Sequence, residues 1–118
     1  MEATDSAPTP GRKFLIVPVR GEVSEMQVPD ILSAEVTAIQ DVVLGYMEGV
    51  PVPGSSAYMI VNEEGRLNGL PPNPRASALA GQPIVGPVVL TGPSDKEGES
   101  GSFTLVDWAT LAASHGIR

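Results

Sequence analysis

Lys13-Phe14-Leu15-Ile16-Val17-Pro18-Val19-Arg20-Gly21-Glu22-Val23-Ser24-Glu25-Met26-Gln27-Val28 is the stretch on which the fold turns. Its first half is an apolar, β-branched run of strand length, and unbroken apolarity marks a strand covered on both faces. Pro18 removes a ladder donor, so it signals a strand end or an edge. Arg20-Gly21 fits a two-residue turn. Beyond it Ser24, Met26 and Val28 alternate with Val23, Glu25 and Gln27 without a clean inside face, and Pro29 stops the run. The stretch predicts a β-hairpin over 13–28.

A helix is predicted next. Leu32, Val36, Ile39 and Val43 recur at spacings of four, three and four, and Val42 widens the stripe. Ser33 is the expected N-cap, Glu35 sits where the helix dipole favours an acid, and Gly45 suits a left-handed stop. Glu35, Gln40 and Asp41 are expected to face water. Tyr46-Met47-Glu48-Gly49-Val50 then reads as a short strand, and Pro51, Pro53 and Gly54 as a turn. Ala57-Tyr58-Met59-Ile60-Val61 reads as another strand. A third run, 83–91, carries Gly86-Pro87 inside it, which predicts a bulge or kink. The Gly/Ser/acid connection 92–101 is expected to be mobile. Thr104 and Asp107 form a capping-box pattern ahead of Leu105, Trp108, Leu111 and Ala112, and Trp108 is expected to anchor that helix to the core. The sum is an α+β fold: a mixed, mostly antiparallel sheet of four to five strands, one main helix over about 33–44 and a short C-terminal helix over about 105–114.

Composition narrows the function. The 118 residues suit one domain, read as a flexible leader over 1–11 and a domain over 12–118. Hydrophobic residues make up 42% but aromatics only 4%, so the core is aliphatic. Cysteine is absent, which excludes disulfides, thiolate chemistry and Cys-based zinc sites. No apolar run reaches the ~20 residues a membrane span needs, and the N-terminus lacks a signal-peptide pattern. A cytoplasmic protein is expected. The net charge of −7, from 14 acids and 7 bases, repels nucleic acid, and the acids are too scattered for a phosphate mimic.

Catalytic signals are weak. The single His, His115, falls at the end of the last helix, where a cation suits the dipole. Adjacent Glu63-Glu64 would point to opposite sides of a strand, a poor metal pair. Gly81 and Gly86 have P-loop spacing, but Pro87 stands where the Lys belongs. A non-catalytic protein with no cofactor is expected. The segment that stands out is Asn62-Glu63-Glu64-Gly65-Arg66-Leu67-Asn68-Gly69-Leu70-Pro71-Pro72-Asn73-Pro74-Arg75-Ala76, with three Asn, two Gly, three Pro and two Arg. Gly65 predicts a strand-turn-strand unit over 57–68. Two readings stay open. One is a stiff binding loop in which Asn62, Arg66, Asn68, Asn73 and Arg75 meet a ligand or partner, with Tyr46 and Tyr58 nearby. The other is a structural crossover whose Asn side chains cap backbone groups.

Asn62-Glu63-Glu64-Gly65, then Leu67, then Gly69-Leu70-Pro71, with Asn73 and Ala76, resembles the signature of domain-of-unknown-function family three-eight-four-six, seen in bacteriophages and bacteria. Gly45-Tyr46 ahead of a strand and Ile84-Val85-Gly86-Pro87 behind it are similar too, so the resemblance covers roughly 13–113. It implies a compact α+β fold and a phage or mobile-element setting, hence the cytoplasm of a host cell. By analogy with that setting, the expected function is a non-catalytic accessory protein that binds and inhibits or modulates a host protein. The alternative is a sponge for a nucleotide-derived defence signal, with Arg66, Asn73 and Arg75 on phosphate and Tyr46 or Tyr58 stacked on a base. A small hydrolase is the least favoured reading. Neither nucleic acid nor membrane is an expected partner, and a homo-oligomer is compatible with all three.

Overall fold

The 13–28 hairpin forms, with β1 (Lys13–Val17) antiparallel to β2 (Ser24–Gln27). The computed structural model describes residues 11–95 and 99–117. Most of the expected leader and the centre of the 92–101 connection, Glu97 included, lie outside the described residues. The remaining strands are β3 (Met47–Pro51), β4 (Tyr58–Asn62) and β5 (Val88–Thr91). Three helices accompany them: α1 (Leu32–Val43), α2 (Pro74–Ala80) and α3 (Leu105–Ser114). The five strands form one sheet in the order β2-β1-β5-β4-β3. The fold is α+β, and every pairing among the described strands is antiparallel rather than mixed.

From Phe14 to Val17 β1 is apolar because it lies inside the sheet with helices on both faces. Leu15 and Val17 point one way, joined by Met59, Val61, Val88 and Leu90, and are covered by Ala76, Leu79 and Ala80 of α2 and Leu111 of α3. Phe14 points the other way and joins Val89 beneath Ile39 and Val43 of α1. Phe14, Leu15, Val17, Val88, Val89 and Leu90 are all fully buried. Each such side chain contributes roughly 1.5–3 kcal/mol of transfer free energy. Trp108 is half-buried against the α2/α3-side core, as an anchor should be.

Several local expectations change. The β1–β2 connection runs from 18 to 23 instead of closing on two residues, because Pro18 cannot continue the ladder; Gly21 makes the reversal at φ 92°. The N-cap of α1 is Ile31, without a side-chain hydrogen bond, so Ser33 lies inside the helix. Its C-cap is Leu44, in the left-handed region at φ 71°, and not Gly45. Gly45 serves a different need: a Cβ there would stand 2.9 Å from Asn62 Nδ2. Glu35 does not face water. Its half-buried carboxylate pairs with Arg12, whose guanidinium also donates to Ser100 O at 3.0 Å.

Beyond β4 the chain coils through turns over 63–69, so the strand-turn-strand unit over 57–68 does not form. α2 was not expected, and it makes a single main helix too simple a description. The 83–91 run is a strand only from Val88, since Gly86 at φ 78° and Pro87 break it. The capping box of α3 forms as expected: Thr104 N donates to Asp107 Oδ2 at 2.9 Å, and Asp107 N to Thr104 Oγ1.

Phe14→Ala and Leu79→Ala empty opposite faces of the sheet, so each is expected to lower unfolding free energy by ~2–5 kcal/mol, nearly additively. Urea denaturation of both single variants and the double checks this; a loss below ~1 kcal/mol in either would contradict the packing on that face.

Candidate functional site

Two buried asparagines organise segment 62–76. Asn62, at the end of β4, donates from Nδ2 to Val43 O at 2.9 Å and accepts at Oδ1 from Glu64 N at 2.7 Å. It thereby holds the end of α1 to the sheet and starts the turn. Within that turn Asn68 N donates to Glu64 O at 2.9 Å and Leu70 N to Gly65 O at 3.0 Å. The coil returns Leu70 against two glycines. A Cβ on Gly86 would lie 2.7 Å from Leu70 Cδ1, and one on Gly65 would lie 2.7 Å from Val85 Cγ2 and 3.5 Å from Leu70 Cδ1.

Asn73 is fully buried. Its Nδ2 donates to Val17 O at 3.1 Å and Gly86 O at 2.9 Å, and its Oδ1 accepts from Ala76 N at 3.1 Å, capping α2. Pro74 at the first helical position and Gly81 as the left-handed cap complete the helix signals. Arg75 donates from Nη2 to Pro18 O at 2.8 Å. The crossover reading therefore describes Asn62, Asn73 and Arg75: each side chain satisfies backbone carbonyls.

The other expected residues are dispersed. Asn62 and Arg66 border a cleft of about 310 Å³ with Glu48, Glu63, Glu64 and Leu67. Arg66 donates to Pro83 O at 3.2 Å across it. Asn68 is exposed on the turn. Tyr46 lies in a separate depression with Asp41 and Leu44, and Tyr58 borders a third with Met47, Gly49 and Ile60. Asn73 and Arg75 line none of these three. Residue reasoning passed over Leu44, Glu48 and Leu67. Leu67 had a signal, as the lone large apolar residue within the polar run 62–69.

Large apolar side chains are exposed at the start of α1 (Ile31, Leu32) and of α3 (Val106), and at the end of the sheet that carries Leu44, Tyr46 and Leu67. Leu67 is 85% exposed, Tyr46 69% and Leu44 58%. The three belong to neighbouring segments, since Glu63 N donates to Tyr46 O at 2.8 Å and Asn62 packs on Gly45. Asp41, Glu48, Glu63 and Glu64 surround them in sequence and are themselves exposed. Such an end suits contact with another macromolecule: apolar anchors in an acidic rim. Among the described residues no group of three or more His, Asp or Glu is placed to hold a metal, and no helix is long and apolar enough to cross a membrane.

A chain with this antiparallel sheet and this asparagine-pinned crossover is a small α+β domain in which Asn62, Gly65, Leu70, Asn73 and Ala76 of the signature build the fold. Its sequence matches the family described as Domain of unknown function (DUF3846) over residues 13–111, and the chain belongs to that family. No curated protein and no solved structure matches it.

Asn73→Ala strands two buried carbonyls and an amide, so stability is expected to fall by ~2–3 kcal/mol or more. Arg66→Ala and Asn68→Ala are expected to stay within ~0.5 kcal/mol. Thermal and urea unfolding of the three variants separates the structural from the exposed members of the segment.

Proposed function

We propose that this is a non-catalytic binding protein that docks on another protein through the end of the sheet carrying Leu44, Tyr46 and Leu67. In the phage setting suggested by the family resemblance, the partner is a host protein whose activity it inhibits or modulates. The observation that carries this reading is Leu67, 85% exposed on a turn held rigid by Asn62 and the Leu70–Gly86 contact. A large apolar side chain on a rigid turn costs little entropy to bury in a partner. The surrounding carboxylates of Asp41, Glu48, Glu63 and Glu64 favour a partner whose apolar patch is edged by Lys or Arg.

The nucleotide-sponge alternative draws less support. Asn73 is fully buried and Arg75 is bonded to Pro18 O, so two of its three phosphate ligands have other partners. The third, Arg66, shares its cleft with Glu48, Glu63 and Glu64, whose charges repel phosphate.

Affinity capture from host lysate with the wild-type chain, Leu67→Glu and Tyr46→Ala tests the reading. A stoichiometric partner is expected with the wild type, weakened ~10-fold or more by Leu67→Glu with little change in melting temperature. Equal capture by all three, or a melting-temperature rise with cyclic dinucleotides or ADP-ribose derivatives, would sink it in favour of another site or of the sponge.

A further inference from the structure

β3 is the outermost strand on its side of the sheet, and its backbone groups alternate between inward and outward. Glu63 N donates to Tyr46 O at 2.8 Å, and Val52 N to Ala57 O at 3.3 Å. In the same register Glu48 faces Val61 and Val50 faces Met59, so these are the β3 residues bonded to β4. Met47, Gly49 and Pro51 therefore turn their backbone groups away from the sheet. Among the described residues no strand lies beyond them.

Exposed edges are normally blunted by charge, proline, bulges or a covering element. At the opposite edge, Glu25 of β2 accepts from Leu105 N of α3 at 2.8 Å and lies 3.7 Å from Lys13 Nζ. β3 carries one charge, Glu48, and is closed at one end, where Pro51 lacks an N–H. At its centre stands Gly49, exposed and without a side chain.

Concave surface borders this edge on both faces. On one, Met47 and Gly49 adjoin a cleft of about 340 Å³ with Tyr58, Ile60 and Thr91. On the other, Glu48 and Val50 adjoin the 310 Å³ cleft that holds Glu63, Glu64 and Arg66. A strand laid beyond β3 sends its alternate side chains toward these two clefts in turn. One row meets mainly aromatic, aliphatic and hydroxyl groups, with Glu48 also on the lining. The other meets three carboxylates and one guanidinium.

We propose that β3 is a strand-addition site for an extended segment of the partner protein in which apolar residues alternate with Lys or Arg. The proposal rests on the protein-docking reading and gives it a mode: backbone hydrogen bonds to Met47 and Gly49 hold the segment, and the two clefts select its side chains. A second copy of the chain fits the edge poorly. A two-fold β3–β3 pairing about Gly49 sets both Glu48 carboxylates on one face, between chains of net charge −7 each.

The test uses the full chain and an acetylated, amidated octapeptide of alternating Lys and Val, with a Glu/Val octapeptide as control. Amide exchange at Met47 and Gly49 is expected to slow ~10-fold or more with saturating Lys/Val peptide, while Glu48 and Val50, already bonded to β4, change little. Gly49→Pro deletes an outward donor without touching the β4 ladder and is expected to weaken binding ~10-fold. N-methylating alternate peptide amides should do the same with the protein unaltered, which covers the event that Gly49→Pro misfolds. No binding of the Lys/Val peptide, equal binding of the Glu/Val peptide, or binding that leaves Met47 and Gly49 exchange unchanged overturns strand addition. Concentration-dependent dimerisation that protects the same amides without peptide assigns the edge to a second copy and also overturns it. Strand addition alone fails if Leu67-dependent capture persists in any of these cases; loss of that capture is the failure of the docking reading itself.

Discussion

The carboxamide of Asn73 reaches three separate parts of the chain at once: the end of β1 at Val17, the approach to β5 at Gly86, and the first turn of α2 at Ala76. All three groups sit where water does not reach, and an unpaired buried amide or carbonyl costs ~1–3 kcal/mol. One side chain thus satisfies a strand end, a kinked crossover and a helix N-terminus together. Around it, Ser77 Oγ accepts from Ile84 N at 2.8 Å, and Asn73 N donates to Ile84 O at 2.9 Å. These bonds seat α2 over the sheet, where with Leu111 of α3 it covers the face built on Leu15, Met59 and Leu90.

Asn62 does comparable work on the other side of β4. Its bond to Val43 O draws the end of α1 so close that position 45 tolerates no Cβ. The glycine is consumed by that approach, and the left-handed turn falls instead on Leu44, a conformation that an L side chain adopts at some cost. Leu44 is left exposed beside Tyr46. The same constraint that fastens helix to sheet thus generates part of the apolar surface proposed to bind.

The family signature divides accordingly. Asn62, Gly65, Leu70, Asn73 and Ala76 are explained by hydrogen bonds and contacts within the domain. Glu63, Glu64, Leu67, Gly69 and Pro71 are exposed between them, as are Arg66 and Asn68 outside the signature. The first group makes the turn rigid; the second is what a rigid turn displays. A short acidic edge strand next to that display places main-chain donors and acceptors within the same surface.

Much of this was legible in the chain. The unbroken apolar run of β1, the four-three-four spacing of α1 and the Thr104–Asp107 box report local physics: two-sided burial, one buried helix stripe, and paired capping bonds. The signals for α2 were also present, in Asn73, Pro74 and Gly81, but a run of prolines and asparagines reads equally well as a stiff loop. What separates the two readings is Val17 O and Gly86 O, contributed by residues 56 and 13 positions away. The same holds for which Asn and Arg side chains are free to bind. Residue type states that an amide or guanidinium can pair; only the tertiary structure places a buried carbonyl in front of it. Segment 62–76 was marked by sequence as the unusual part of the protein. Its division into residues that hold the fold and residues that face solvent followed from which backbone groups the fold cut off from water.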